Sequence, residues 1–234
     1  MLEARVSTKS LLSGEILLRD VAVAVRPGDI VALLGASGVG KTTLLRILLG
    51  LDRNFQGAVR RSAQRVGAVF QEPRLLPWRT IGDNIRLVAP RGRQPPDVAA
   101  LLREVELPDA EHLYPRQVSL GMARRAALAR ALAIAPDLLI LDEPFASLDP
   151  GVAALIAGRL IQLPRRRGAA LVFAMHDIAR ATALATTLIV LAGRPATVAC
   201  RAELAADADA AARAELQRDV MRRFPFLADA TGGA

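Results

Sequence analysis

Short apolar runs recur along the chain, and longer stretches between them carry apolar residues at helical spacing. Ile30–Leu34, Leu138–Leu141, Ala170–Ala174 and Leu188–Leu191 are apolar at every position. A strand without polar alternation is buried on both faces, as in a parallel sheet sandwiched between helices. Val66–Phe70 reads as a further short strand. Nearer the N-terminus, Ile16–Leu18 and Val21–Val25 read as two strands ahead of the turn Arg26-Pro27-Gly28-Asp29. Helical patterns run from Lys41 to Gly50, through most of 84–135, and near 150–163. Gly50 suits a helix C-terminus. Pro90-Arg91-Gly92-Arg93-Gln94-Pro95-Pro96 predicts a loop. The tail after Glu203 is Ala-rich and amphipathic in parts, ending in a frayed Thr231-Gly232-Gly233-Ala234. Strands alternating with helices predict the α/β class, and no internal repeat interrupts the pattern.

Composition narrows the function classes. At 234 residues the chain has room for one α/β domain with a small inserted subdomain. No apolar run approaches the ~18–20 residues that cross a bilayer, and the N-terminus lacks a signal-peptide layout, so the expected location is cytoplasmic. A single cysteine, Cys200, excludes an internal disulfide and a thiol zinc site. The net charge of +8 rests on 31 Lys and Arg residues, of which only Lys9 and Lys41 are lysines. The arginines are dispersed, apart from Arg165-Arg166-Arg167, and aromatic content is 3% with no basic–aromatic interleaving. This favours a solvated surface first, weak attraction to an anionic membrane second, and nucleic acid last.

The sharpest signal is Gly35-Ala36-Ser37-Gly38-Val39-Gly40-Lys41-Thr42, a G-x-x-x-x-G-K-[ST] phosphate loop between a strand and a helix. Glycines let backbone amides turn inward around phosphate oxygens, and the helix start adds partial positive charge. Lys41 can reach the β- and γ-phosphates, and the Thr42 hydroxyl can ligate Mg²⁺. The second signal is Asp142-Glu143 at the end of an apolar strand, 101 residues after Lys41. Carboxylates at the carboxyl edge of a sheet sit where α/β proteins bind ligands. One can hold Mg²⁺ and the other can activate water as general base.

The order of motifs resembles the ATP-binding subunit of ABC transporters over roughly residues 3–200. Gln71 in Val69-Phe70-Gln71 resembles the Q-loop, Ser147-Leu148-Asp149 the D-loop, and His176 in Ala174-Met175-His176-Asp177 the switch histidine. Val118-Ser119-Leu120-Gly121-Met122 stands where the LSGGQ signature belongs, followed by the family's usual continuation Ala126–Leu132. The resemblance implies a P-loop NTPase with a RecA-like parallel-sheet core and an N-terminal antiparallel β subdomain. It places an ATPase domain over 1–200, a helical subdomain near 72–135 within it, and a helical tail over 201–234. ATP and Mg²⁺ are the implied ligands. By the same resemblance Gly35 to Thr43 hold phosphates, with Thr42, Gln71 and Asp142 around the metal. Glu143 polarises the attacking water and His176 contacts the γ-phosphate. Ser119, Gly121 and Asp149 act across a head-to-tail dimer of ATPase subunits, either two copies or two different chains. Membrane permease subunits and, indirectly, a solute-binding protein are the implied partners, at the cytoplasmic face of the membrane. His112 is given no role.

Gln71–Ile85 (QEPRLLPWRTIGDNI) resembles the nitrate/sulfonate/taurine importer branch, and Trp78 within it is read equally as core packing or docking. Two departures stand out. Leu120 replaces the first signature glycine, and no aromatic precedes Phe55, so Leu11 or Leu12 stands where the family stacks adenine. They leave open a weakly hydrolysing regulatory subunit that needs a different ATPase partner. A soluble ABC ATPase acting on nucleic acid would join two cassettes or carry a long coiled-coil insertion.

Overall fold

The computed structural model describes residues 1–89, 94–205 and 207–229. The first half runs β1 (Leu2–Ser10), β2 (Ile16–Val25), β3 (Ile30–Leu34), α1 (Lys41–Leu48), β4 (Gln56–Arg61), β5 (Val66–Val69), α2 (Ile81–Arg86) and α3 (Val98–Glu104). After a 3₁₀ turn at Pro115–Gln117 come α4 (Leu120–Leu132), β6 (Leu138–Asp142), α5 (Pro150–Leu160), α6 (Gln162–Arg167), β7 (Ala170–Ala174) and α7 (Ile178–Leu184). The chain continues through β8 (Thr187–Ala192), β9 (Thr197–Glu203), α8 (Ala210–Arg223) and α9 (Phe226–Asp229). Pro90 to Arg93 of the expected loop and the expected frayed end 231–234 lie outside the described residues.

The central sheet has the order β5-β6-β7-β3-β8-β9, parallel except for β9, which pairs antiparallel with β8. Its apolar strands feed two separate cores. Ile30, Ala32 and Leu34 of β3 face one cluster, and Val31 and Leu33 face the other. β6 divides the same way, Leu139 and Leu141 against Leu138 and Ile140. One core is covered by α2–α5, α7 and α8, the other by α1 and the sheet β2-β1-β4. An apolar run with no polar partner face is therefore what these strands need.

Four strands differ from the sequence reading. Ile16–Leu18 and Val21–Val25 form the single strand β2; the polar pair Arg19-Asp20 is exposed, with Asp20 at φ 50° inside a continuous strand. β1 has clean period-two burial at Leu2, Ala4 and Val6, and β4 and β9 are polar outer strands with little burial, where apolar content gives no signal.

Asp137, just ahead of β6, accepts hydrogen bonds from the backbone N–H groups of Gln64 and Arg65 at 3.2 and 3.0 Å and from the Arg65 guanidinium. It thus ties the starts of neighbouring strands β5 and β6. Arg65 holds the Asp137 carboxyl below its ordinary value of 3.8. A depressed carboxyl contributes stability above that value and loses it as pH falls through the folded pKa. Asp137→Ala should lower Tm at pH 7 by about 2–4 °C, the low end for charged hydrogen bonds on a partly exposed pair. Calorimetry should show the two proteins converging in acid; a gap that persists there removes the electrostatic explanation.

Candidate functional site

The carboxyl ends of β3, β6 and β7 lie side by side, with Leu33 opposite Ala174 and Asp142 opposite Ala174 in register. Everything that leaves these strands meets at one edge. From β3 comes the loop 35–40, in which Gly35, Gly38 and Gly40 all have positive φ. A Cβ on Gly35 would stand 2.7 Å from the carbonyl oxygen of Leu191, so only glycine fits under β8. The loop opens α1, whose N-cap Gly40 offers no side-chain acceptor to the first amides. Those amides are therefore available to an anion.

Lys41 folds back over the loop, its Nζ donating to the carbonyls of Gly35 at 2.7 Å and Ala36 at 3.1 Å. Desolvation lowers its pKa, opposed by the nearby charges of Glu143 and Asp142. The Thr42 hydroxyl donates to Asp142 Oδ2 at 2.7 Å. Asp142 is buried, and burial raises its pKa, with the Thr42 hydrogen bond and the Lys41 charge pulling it back. A buried acid held against a hydroxyl, beside a half-buried ammonium, is a donor set suited to a hard cation and a phosphate.

Glu143 takes φ 49° as the chain leaves β6, its backbone N–H bonded to Ala174 O at 3.0 Å. That turn aims its carboxylate at His176 at the end of β7, with Nδ1 3.0 and 3.1 Å from the two oxygens. The neighbouring Asp177 caps α7 by accepting from the Arg180 N–H at 2.9 Å, fixing where the histidine leaves the sheet. Lys41, Thr42, Thr43, Gln71, Asp142, Glu143 and His176 all line one cavity of about 570 Å³, with Leu11 and Leu17 at its side.

Other expected residues lie elsewhere. Ser119 and Gly121 do not line this cavity, and neither does Asp149. Ser119 caps α4 by accepting from the Met122 N–H at 3.2 Å, and Asp149 caps α5 through the Gly151 and Val152 amides. Leu120 is the first residue of α4, absent from the positive-φ positions and half exposed, so leucine fits the backbone there. Leu11 lines the cavity, whereas Leu12 is fully exposed and does not. Trp78 is 71% exposed, and the core-packing reading fails. His112 is exposed and away from the cavity.

Two contributors went unread in the sequence. The Arg124 guanidinium on α4 donates to the carbonyls of Gln71 at 3.1 Å and Ala146 at 2.6 Å. Arg130, a turn and a half later, holds the carbonyls of Pro73 and Arg74 at 2.9 and 2.8 Å. The helix behind the signature is thereby bonded to the backbone on both sides of the cavity. Nothing in a run of alanines and arginines marks which arginines do this.

The model of the family described as ABC transporter matches residues 18–146. The chain belongs to the ABC transporter family. Among curated relatives, the aliphatic sulfonates import ATP-binding protein SsuB 2 of Burkholderia lata is 39% identical over 97% of this chain and 82% of its own. A dimeric bacterial ABC transporter cassette superposes with a TM-score of 0.81 at 27% identity, covering 88% of this chain and 99% of that one. An ATP-binding cassette in a dimeric post-hydrolysis state, bound to ADP and Pi, gives 0.79 at 26% identity with the same coverage. The sheet and loop described above are thus those of an ABC ATPase, a P-loop NTPase with an added antiparallel β part. No helix among the described residues is long and apolar enough to cross a membrane.

Proposed function

We propose that this ABC ATPase powers import of a small organic anion of the sulfonate class, binding ATP with Mg²⁺ between two cassettes. The carrying observation is that Lys41, the Thr42–Asp142 pair and the Glu143–His176 pair converge on one cavity at the sheet edge. The solute class is taken from the relatives named for aliphatic sulfonates import.

In this reading the loop amides and the start of α1 receive the phosphates, and Lys41 turns from the Gly35 and Ala36 carbonyls to their oxygens. Thr42 and Asp142, with Gln71 nearby, would hold Mg²⁺, which when bound neutralises phosphate charge. Glu143 accepts the proton of the attacking water, and His176 orients its carboxylate and reaches the γ-phosphate. Catalysis is then positioning and charge stabilisation. Ser119, Gly121 and Asp149 serve the nucleotide of the partner cassette, which fits their absence from the cavity of their own chain. Residues 1–200 act as the motor, with 72–135 as its helical arm facing a membrane permease at the cytoplasmic face. A solute-binding protein delivers cargo to that permease. Nothing at Leu120 calls for a different ATPase partner.

The test is light scattering of purified Glu143→Gln protein with and without Mg-ATP. The expected result is a monomer that doubles in mass with nucleotide, both with Leu120 and after adding Leu120→Gly. A chain that doubles only after Leu120→Gly sinks the homodimer and returns the regulatory reading.

A further inference from the structure

The cavity that collects the phosphate-binding residues continues past the loop. A second cavity of about 590 Å³ lies on the outer side of residues 36–39, and the two share Leu11, Leu17, Ser37 and Gly38. Its far wall is Phe226, brought there by the C-terminal tail. α8 packs along α7 and contacts α9, whose Phe226 lines this cavity together with residues 36–39. Among the described residues that line either cavity, Phe226 is the one Phe, Tyr or Trp.

That position answers a shortage noted in the sequence. No aromatic precedes Phe55, and the N-terminal hairpin presents only the aliphatic Leu11 and Leu17 to the shared part of the groove. A nucleobase is a flat apolar surface with a polar rim, and its favoured neighbour is an aromatic face. The Phe226 ring packs edge-on against Phe224, with 6.0 Å between centroids, and both pack against the core. A ring fixed by its neighbours loses little freedom on receiving a ligand. The space is of ligand size.

We propose that Phe226 supplies the aromatic wall for the base of the nucleotide, with the base between Phe226 and Leu11 and the triphosphate running past Ser37 and Gly38 into the loop. This rests on the ATP reading above and adds to it a role for the tail: the last helix completes the nucleotide site.

Calorimetric titration of the full chain with ATP and, separately, with inorganic tripolyphosphate tests it. Phe226→Leu keeps apolar volume in the tail and removes the π-face. It is expected to raise the Kd for ATP by about 5- to 150-fold, the range for loss of one base–aromatic stack, and to leave tripolyphosphate binding within twofold. Phe226→Tyr should retain wild-type affinity, and Leu11→Tyr added to Phe226→Leu should recover it. Unchanged ATP affinity in Phe226→Leu overturns the proposal, as does an equal loss of ATP and tripolyphosphate, which marks a folding defect in place of a missing contact. A wild-type chain that binds neither ligand overturns the nucleotide reading beneath it.

Discussion

Glu143→Gln is expected to bind Mg-ATP normally and to hydrolyse it about 10²–10⁴-fold more slowly, the range for loss of a positioned general base. Glutamine matches the length of glutamate, and its amide oxygen can still accept from His176 Nδ1, now 3.0 Å from the carboxylate. The geometry of the turn at φ 49° rests on the backbone bond from Glu143 to Ala174 and is indifferent to the exchange. Only the proton-accepting oxygen is lost. Steady-state phosphate release with the ATP concentration varied measures it: kcat falls while KM for ATP stays within about twofold. A fall of less than tenfold would place the base elsewhere in the cavity.

Lys41→Met should act at the other stage. Methionine keeps the stem and removes the ammonium, so phosphate oxygens in the loop lose a charged donor in a partly desolvated site. Truncating one partner of such a pair costs about 2–5 kcal/mol, or roughly 30- to several-thousand-fold in Kd. The nucleotide-free protein should respond in the opposite sense. Burial lowers the Lys41 pKa, so its ammonium is less favoured in the folded chain than in the unfolded one. Lys41→Met should therefore melt at or above the wild-type temperature without nucleotide and gain nothing from Mg-ATP, whereas the wild type gains with ligand concentration. A variant stabilised by Mg-ATP as strongly as wild type would sink the assignment.

The parts of this molecule that are local in sequence were legible in it. The runs at β3, β6, β7 and β8 give themselves away because both faces are buried, and the phosphate loop is one contiguous segment. Glu143 directly follows β6 and His176 lies two residues past β7, so both sit at strand ends that the sequence marks. Outer strands escaped: β4 is exposed at five of its six positions, so no apolar pattern exists to find. Long-range contributions escaped too. Phe226 reaches the loop from the far end of the chain and Arg124 reaches Gln71 across 53 positions; no spacing rule joins them. Trp78 left core packing and docking equally open, because hydropathy alone does not separate them, and its exposure removes the first.

The arginines carry a consequence for how this sequence can drift. Arg124, Arg125, Arg130 and Arg159 each hold two backbone carbonyls with one guanidinium, joining α4, α3, the loop after Gln71 and α5. A planar fork can span two acceptors at fixed spacing; an ammonium on a flexible stem is a point donor. The two lysines occupy compact sites of that second kind, Lys9 against Asp52 and the Asn54 carbonyl, Lys41 inside the loop. Exchange of arginine for lysine would keep the charge while loosening the joints among these elements, so a lysine-rich descendant would melt at a lower temperature.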